Sequence, residues 1–141
     1  MTYPAIALVD SGILYAYYSA KDRYHPQVRR FFEQFTGKLI TTPQCITEVM
    51  WLLNASWQTQ NEFLSDLAIE LYICESLTLQ DFTRIAELNA RYADLPADFA
   101  DLSLVAISER LNIAAIVSLD SDFNIYRRYR NQPFERVNLP M

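Results

Sequence analysis

Residues 3–12 have the sequence YPAIALVDSG, and this stretch decides the fold class of the chain. Its apolar residues, 5–9, are small or branched, which is typical of a strand that is buried on both faces of a parallel sheet. The strand ends at Asp10, and Ser11 and Gly12 follow it. The end of a buried strand is an unusual place for a charge, so Asp10 is the first candidate for a functional residue.

The sequence AAIVSLD at residues 114–120 repeats this pattern, because a second apolar strand stops at Asp120. Between the two strands, the spacing of apolar residues predicts a series of helices and two short strands. The helices are expected at 12–19, 26–36, 60–70 and 78–93, after Pro43 and within 95–112, and the strands at 38–42 and 71–76. A further short helix at 123–130 is expected to be capped by Asp122. Strands that alternate with helices predict an α/β fold in which helices cover both faces of a parallel sheet.

The length and composition of the chain favour one domain that spans residues 1–141. Of these 141 residues, 51% are hydrophobic, which is enough for one compact core. No segment reaches the roughly 20 apolar residues that cross a bilayer, and the N-terminus lacks the pattern of a signal peptide. We therefore expect a cytoplasmic protein with no membrane partner. The formal net charge of -5 argues against a protein that binds nucleic acid with its whole surface.

The cysteines, the histidine and the tryptophans exclude some classes of site. Cys45 and Cys74 lie far apart in sequence and are expected to be buried thiols, not a disulfide. His25 is the only histidine, so the chain cannot supply the usual ligands of a zinc site made of histidines and cysteines. A catalytic triad would need His25 as its base, and this histidine lies in a polar segment typical of a loop. Trp51 and Trp57 are expected in the core or in a dimer interface.

Five acidic residues are expected to meet at one edge of the sheet. Asp10 and Asp120 end apolar strands, and the carboxyl ends of parallel strands form the edge at which open α/β folds bind ligands. Glu48, near the start of one helix, and Asp98 and Asp101, at the start of another, can face the same edge. Carboxylates this close must hold a proton or bind a cation, because like charges repel strongly when they are partly desolvated. Hard carboxylate oxygens favour Mg2+ or Mn2+.

Several of these acids also have a structural explanation that the sequence leaves open. Asp98 or Asp101 can cap the helix that follows it, and Glu48 can be an ordinary first-turn glutamate that interacts with the helix dipole. Asp122 can cap the next short helix. Whether Asp98 or Asp122 contributes to the site therefore stays open at this point. Asp10 and Asp120 are harder to explain structurally, because each ends an apolar strand and turn-forming residues follow it.

Four fragments of the sequence resemble the motifs of the PIN domain family and, within it, of the VapC-type ribonuclease toxins of type II toxin/antitoxin systems. In chain order they are LVDSGILYAYYSAKDRYHPQVRRFF, TTPQCITEVMWLL, DFADLSLVAISERLN and IVSLDSDFNIYR. The resemblance covers essentially the whole chain. It implies a PIN-domain-like three-layer α/β/α fold with a central, mainly parallel sheet flanked by helices.

The resemblance also implies an activity and partners. The activity is hydrolysis of RNA phosphodiester bonds by an endoribonuclease that depends on Mg2+ or Mn2+. Such a toxin is restrained by a small antitoxin protein and is often a homodimer. The sequence does not identify the RNA, the cleavage sequence or the antitoxin.

The site residues follow from the same resemblance. Ser11 and Ser118 take the positions of hydroxyl residues that hold water or orient a carboxylate beside the acids. The chain departs from the usual family pattern at Ile13, Leu102 and Ser118, and none of these departures removes a ligand. Asp98 is implied as an additional or substitute acid. The catalytic acids that hold the metal are implied to be Asp10, Glu48, Asp101 and Asp120.

The basic run near the C-terminus is a candidate RNA contact. Arg127, Arg128 and Arg130 can bind phosphates, and the tyrosines between them, Tyr126 and Tyr129, can stack on bases. A basic run of this kind is more often a solvated face, so both explanations stay open.

Other functional classes are weighed against the nuclease. A phosphoacceptor receiver domain needs paired acids after the first strand and a lysine after the last, and neither VDSG nor SLDSDF provides them. A haloacid-dehalogenase-type phosphatase needs an aspartate two residues after Asp10, where this chain has Gly12. The remaining alternative is a nonenzymatic PIN-like module that binds RNA or protein and uses its acids structurally.

Overall fold

The computed structural model describes residues 2–141 and contains a five-stranded parallel sheet with helices on both faces. In chain order the elements are β1 (Ile6–Val9), α1 (Ser11–Tyr18), α2 (His25–Gln34), β2 (Lys38–Thr41), α3 (Pro43–Leu52), α4 (Trp57–Ala68), β3 (Ile73–Cys74), α5 (Leu79–Arg91), α6 (Phe99–Arg110), β4 (Ala115–Val117), β5 (Arg127–Arg128), β6 (Gln132–Pro133) and β7 (Glu135–Arg136). The strand order is β3-β2-β1-β4-β7, and all neighbouring pairs are parallel. Strands β5 and β6 form a separate antiparallel hairpin. The predicted α/β/α fold is confirmed.

Strand β1 lies at the centre of the sheet and divides the core into two clusters. Successive side chains of a strand point to opposite faces. Ala7 and Val9 accordingly contribute to one apolar cluster, with side chains of α1 to α4, and Leu8 contributes to the other, with side chains of α5 and α6. All three are fully buried. The apolar run before Asp10 is therefore buried on both faces, as the sequence predicted.

The helix predicted at 123–130 is wrong. Ser121–Asn124 forms a single 3₁₀ turn, capped by Asp120 and not by Asp122, and the chain then extends into β5. The reason is tertiary: Tyr126 is fully buried, with its ring packed edge-on against Tyr92 at 5.2 Å between centroids. The backbone N–H of Arg127 donates to the hydroxyl of Tyr92 at 2.8 Å. These contacts favour the extended chain over a helix.

Two tryptophans and one cysteine are exposed. Trp51 is exposed by 72% and Trp57 by 65%, so of the two places expected for them the core is wrong, and the dimer interface stays a prediction. Trp57 begins α4 and does not lie on the helix that carries Glu48. Cys74 is exposed because it lies on a two-residue strand at the edge of the sheet, whereas Cys45 is buried as predicted. Both cysteines are free thiols.

No helix within residues 2–141 has the length and apolar content needed to span a bilayer.

Charged side chains tie α5 to α6. Asp81 forms a capping box with Thr78 at the start of α5, and its carboxylate also accepts a hydrogen bond from Arg110 Nε at 3.1 Å. One turn later, Arg84 donates two hydrogen bonds to the carboxylate of Glu109, at 2.8 and 3.0 Å. Two-point contacts of this kind hold a guanidinium and a carboxylate in one geometry. The network therefore fixes α6, which carries Asp101, against α5.

Replacing Arg110 with methionine is expected to destabilise the fold. The Asp81 carboxylate is only 6% exposed, so without Arg110 it keeps a backbone hydrogen bond but loses its charged partner. We expect the free energy of unfolding in urea to fall by about 1–3 kcal/mol, the cost of an unsatisfied buried polar group. Glu87→Gln is the control, because this carboxylate is 62% exposed and its ion pair with Arg84 should contribute under about 1 kcal/mol. Equal stabilities of the two variants would contradict this account.

Candidate active site

Asp10 lies where the central strand β1 ends, and hydrogen bonds occupy both of its carboxylate oxygens. One oxygen caps α1 by accepting from the backbone N–H of Ile13 at 3.1 Å. The other accepts from the Ser118 hydroxyl, which follows the neighbouring strand β4, at 2.5 Å. The Asp10 residue is only 4% exposed. Its carboxylate is thus held in a fixed position between two parallel strands.

Glu48 reaches the same edge from the second turn of α3. Thr42 caps this helix by accepting from the backbone N–H of Cys45, and its hydroxyl lies 2.8 Å from the Ser103 hydroxyl of α6. The Ser11 hydroxyl, at the start of α1, donates to the Glu48 carboxylate. Ser11 and Ser118 therefore each hold one of the acids from a position next to the end of a strand.

Helix α6 brings two acids to the site from its first turn. Asp98 is the N-cap and accepts from the backbone N–H groups of Ala100 and Asp101. Asp101 does not cap the helix. Its carboxylate is largely buried and accepts a hydrogen bond from the Tyr126 hydroxyl at 3.3 Å. Asp98 thus has the structural role that the sequence left open, while Asp101 points into the site.

Asp120 and Asp122 complete the cluster from the turn after β4. The Asp120 backbone N–H donates to Ser118, and the Asp120 carboxylate accepts from the backbone N–H of Asp122 at 2.8 Å. Carboxylate oxygens of Asp101, Asp120 and Asp122 all lie within 4.8 Å of one another. Asp122, whose role the sequence left open, is therefore placed among the acids and does not cap a helix.

All these acids line one cavity of about 350 Å³ at the carboxyl edge of the sheet. No ion pair within residues 2–141 includes any of them. Among residues 2–141, none with a cationic side chain lies in the wall of this cavity. The residues that form the wall are Asp10, Ser11, Gly12, Glu48, Pro96, Asp98, Asp101, Leu119, Asp120 and Asp122.

Burial, together with neighbouring negative charge, raises the pKa of the two most buried acids of the cavity. The pKa of Asp101 is raised to about 8, mainly by burial and also by the nearby carboxylates Asp10, Asp120 and Asp98. Burial likewise raises the pKa of Asp10 to about 6, against the opposing effect of the hydrogen bonds from Ser118 and Ile13. Both shifts have the sign expected of carboxylates that lack a cation. A divalent cation bound by oxygen ligands would remove this repulsion, and the donor set fits Mg2+ or Mn2+.

Tyrosines behind the acids are the part of the site that sequence analysis missed. Tyr126 donates to Asp101, and its ring packs against Tyr92 and Phe123. The sequence offered Tyr126 only as a surface residue of a basic run. No local pattern distinguishes a buried tyrosine of this kind, because its burial depends on contacts with α5 and α6 that are distant in sequence.

The arginines predicted to contact RNA lie outside the acidic cavity. Arg127 Nη1 donates to backbone carbonyls of residues 124, 125 and 126. Arg128 donates to the backbone and hydroxyl of Ser108. Arg130 packs over the ring of Tyr129, with 5.8 Å between Cζ and the ring centroid.

Comparison with solved structures identifies the fold. The chain matches VapC20 of Mycobacterium tuberculosis, a toxin that cleaves the sarcin-ricin loop, with a TM-score of 0.73 and 21% identity over 85% of this chain and 93% of that one. It matches VapBC2 of Rickettsia felis bound to a promoter DNA fragment, with a TM-score of 0.62 and 13% identity over 94% and 99% of the two chains. A toxin–antitoxin complex from Klebsiella pneumoniae matches with a TM-score of 0.63 and 14% identity over 82% and 87%. The chain therefore has the PIN-like fold of VapC toxins. No protein-family model and no curated protein sequence matches it.

The raised pKa of Asp101 predicts that stability depends on pH when no metal is present. The pKa of Asp101 is about 8 in the folded chain, against 3.8 for an aspartate without neighbours, so folding favours its protonated form. This contribution to the free energy of unfolding is complete below pH 4 and is lost as the pH rises towards 8. Asp101→Asn removes this loss. In urea denaturation with a chelator, we expect the variant to exceed the wild type at pH 8 by at least about 1 kcal/mol, since one pKa unit corresponds to ~1.4 kcal/mol. The difference should shrink at pH 5, and a difference that does not change with pH would contradict the burial of charge at Asp101.

Proposed function

We propose that this chain is a metal-dependent endoribonuclease that hydrolyses RNA phosphodiester bonds and acts as the toxin of a toxin/antitoxin pair. The observation that carries the proposal is the convergence of Asp10, Glu48, Asp101 and Asp120 on one cavity, which no cationic side chain of the described part of the chain lines. The fold shared with the toxin VapC20, which cleaves the sarcin-ricin loop, supports the same conclusion. A purely structural acidic cluster would be expected to contain basic partners, because unpaired carboxylates this close destabilise a fold.

The metal-binding residues proposed are Asp10, Glu48, Asp101 and Asp120, with Mg2+ or Mn2+ as the cofactor. When bound, such an ion stabilises negative charge on phosphoryl oxygens and lowers the pKa of an attacking water. Asp101 and Asp10 are the acids with raised pKa values, so they are the ones expected to release protons when a cation binds.

The surrounding residues hold these acids in place. Ser118 fixes the Asp10 carboxylate, Ser11 fixes Glu48, and the Tyr126 hydroxyl orients Asp101. Asp98 holds the first turn of α6 through two backbone hydrogen bonds, so we propose a positioning role for it. Asp122 offers a further carboxylate oxygen beside Asp101 and Asp120.

Metal-dependent cleavage of RNA is the direct test. Purified protein should cleave single-stranded or structured RNA with Mg2+ or Mn2+ and should be inactive with a chelator. Asp10→Asn and Asp101→Asn should each lower the cleavage rate by at least about 100-fold, because each removes a proposed ligand and a negative charge. Asp94→Asn is the matched control, because this exposed acid lies in the loop before α6 and does not line the cavity.

Gel analysis and sequencing of the RNA ends would measure both rate and cleavage position. Retention of metal-dependent cleavage by Asp10→Asn and Asp101→Asn would show that the site assignment is wrong. Failure of the wild type to cleave any RNA would instead favour the nonenzymatic PIN-like module that binds RNA or protein.

The partners proposed are a small antitoxin protein and a second copy of the chain, in the cytoplasm where cellular RNA is available. Two of the similar structures, from Rickettsia felis and Klebsiella pneumoniae, are toxin and antitoxin assemblies, which supports the antitoxin. The exposed Trp51 and Trp57 at neighbouring ends of α3 and α4 support an apolar interface between copies.

Light scattering tests the homodimer. The purified chain alone should have twice the mass of one copy, and the double substitution Trp51→Ser and Trp57→Ser should give the mass of one copy with an unchanged far-ultraviolet dichroism spectrum. Exposed aromatic side chains often supply much of the free energy of such interfaces. A wild-type chain that is monomeric at all concentrations tested would rule out the homodimer.

A further inference from the structure

A second cavity, of about 570 Å³, has Tyr92 in its wall and the opposite charge to the acidic site. Four arginines line it, Arg84, Arg91, Arg127 and Arg130, together with the aromatic rings of Tyr92 and Tyr129. None of the described residues in its wall is acidic. Because the chain as a whole has a net charge of -5, a cavity lined by four cations and no anion is a marked local reversal.

Three of these guanidinium groups have no carboxylate partner within residues 2–141. Arg84 is neutralised by Glu87 and Glu109, but none of the ion pairs includes Arg91, Arg127 or Arg130. Arg127 Nη1 is held by three backbone carbonyls, which orient the guanidinium without removing its charge. The cavity thus contains guanidinium groups without a carboxylate partner among the described residues, and one of them, Arg127, has a fixed orientation. Oriented guanidinium groups of this kind bind phosphate.

The backbone at Arg130 gives an independent argument. Arg130 has φ 60° and ψ 32°, and the next residue, Asn131, has φ 59°, so two of the three residues between β5 and β6 have positive φ. Glycine or asparagine adopts this conformation readily, whereas arginine does so at a cost. Turn stability alone therefore does not explain an arginine here. Its guanidinium lies over the ring of Tyr129, which is 64% exposed.

A short chain of contacts connects this cavity to the acidic site. The Arg127 backbone N–H donates to the Tyr92 hydroxyl, the Tyr92 ring packs on Tyr126, and the Tyr126 hydroxyl donates to Asp101. Two aromatic rings thus separate the cations from the acids. The chain of contacts thus links Arg127, in the wall of the cationic cavity, to Asp101, in the wall of the acidic one.

We propose that this cavity is a second RNA subsite, which binds a backbone phosphate upstream or downstream of the bond that is cut. Arg91, Arg127 and Arg130 would contact phosphate oxygens, and the exposed face of Tyr129 would stack on a neighbouring base.

Of the three arginines indicated by the sequence, Arg127 and Arg130 belong to the subsite. Arg128 does not line it and instead donates to Ser108 and Asn112. This inference rests on the proposed nuclease function, because it assumes that the acidic site holds the same RNA strand.

Binding of RNA without cleavage tests the subsite. The full chain with Asp101→Asn, as the cleavage-deficient parent, is titrated against a fluorescein-labelled single-stranded RNA of mixed sequence, and anisotropy gives the affinity at several salt concentrations. Arg91→Ala and Arg130→Gly should each weaken binding about three- to tenfold and reduce the slope of log affinity against log salt by about 0.7, the value for one lost phosphate contact on a single strand. Arg30→Ala is the control, because this exposed arginine lies on α2, across the sheet, and lines neither cavity.

Arg130→Gly separates a functional role from a structural one. Glycine accepts the left-handed turn, so the thermal midpoint of this variant should equal or exceed that of the parent while its RNA affinity falls. Affinity and salt slope unchanged in both Arg91→Ala and Arg130→Gly would overturn the subsite and leave the nuclease proposal intact. Displacement of the RNA by poly-glutamate at an equal concentration of charge would assign the cavity to an acidic protein and also overturn it. Loss of RNA binding in both variants, with a wild-type chain that cleaves no RNA, would support RNA binding at this cavity but refute the nuclease and, with it, the place of the cavity beside a bond that is cut.

Discussion

The repulsion between carboxylates at the carboxyl edge of the sheet is the constraint on which the rest of the structure depends. Asp10, Glu48, Asp101 and Asp120 approach one another around a single cavity, and none has a cationic partner among residues 2–141. Like charges in a partly desolvated site raise one another's pKa and oppose folding. The protein tolerates the arrangement because neighbouring hydroxyl and backbone N–H groups fix each carboxylate, and because a bound cation would reverse the sign of the interaction.

The scaffold around the acids supplies the energy that holds them together. The central strand β1 is buried on both faces, and the ionic network of Asp81, Arg84, Glu109 and Arg110 fastens α6 to α5. Neither Arg84 nor Arg110 lines the acidic cavity. Ion pairs therefore stabilise the contact between α5 and α6, and none of those within residues 2–141 neutralises the acidic site.

Charge is also separated along the surface beside the site. The turn after β4 contributes Asp120 and Asp122 to the acidic cavity, and within a few residues the chain supplies Arg127 and Arg130 to a cationic one. Tyr126 donates to Asp101 of the acidic cavity, and Tyr92, which packs on Tyr126, lines the cationic one. A short segment of sequence thus contributes to two surfaces of opposite charge. Such a pair of surfaces suits a ligand with regularly spaced negative charges, one of which would meet a divalent cation at the acidic surface.

The sequence by itself determined the parallel sheet and the convergence of acids at its edge, because buried strands have a local apolar signature and parallel strands must end on the same side. Only the tertiary structure decided that the chain is extended at Arg127–Arg128, that the Tyr126 hydroxyl donates to Asp101, and that Arg128 is separated from Arg127 and Arg130. Each of these outcomes depends on a partner distant in sequence: Tyr92 for the extended segment, Asp101 for Tyr126, and Ser108 for Arg128. Local patterns carry no information about such partners, since their contact energies arise only when the chain has folded.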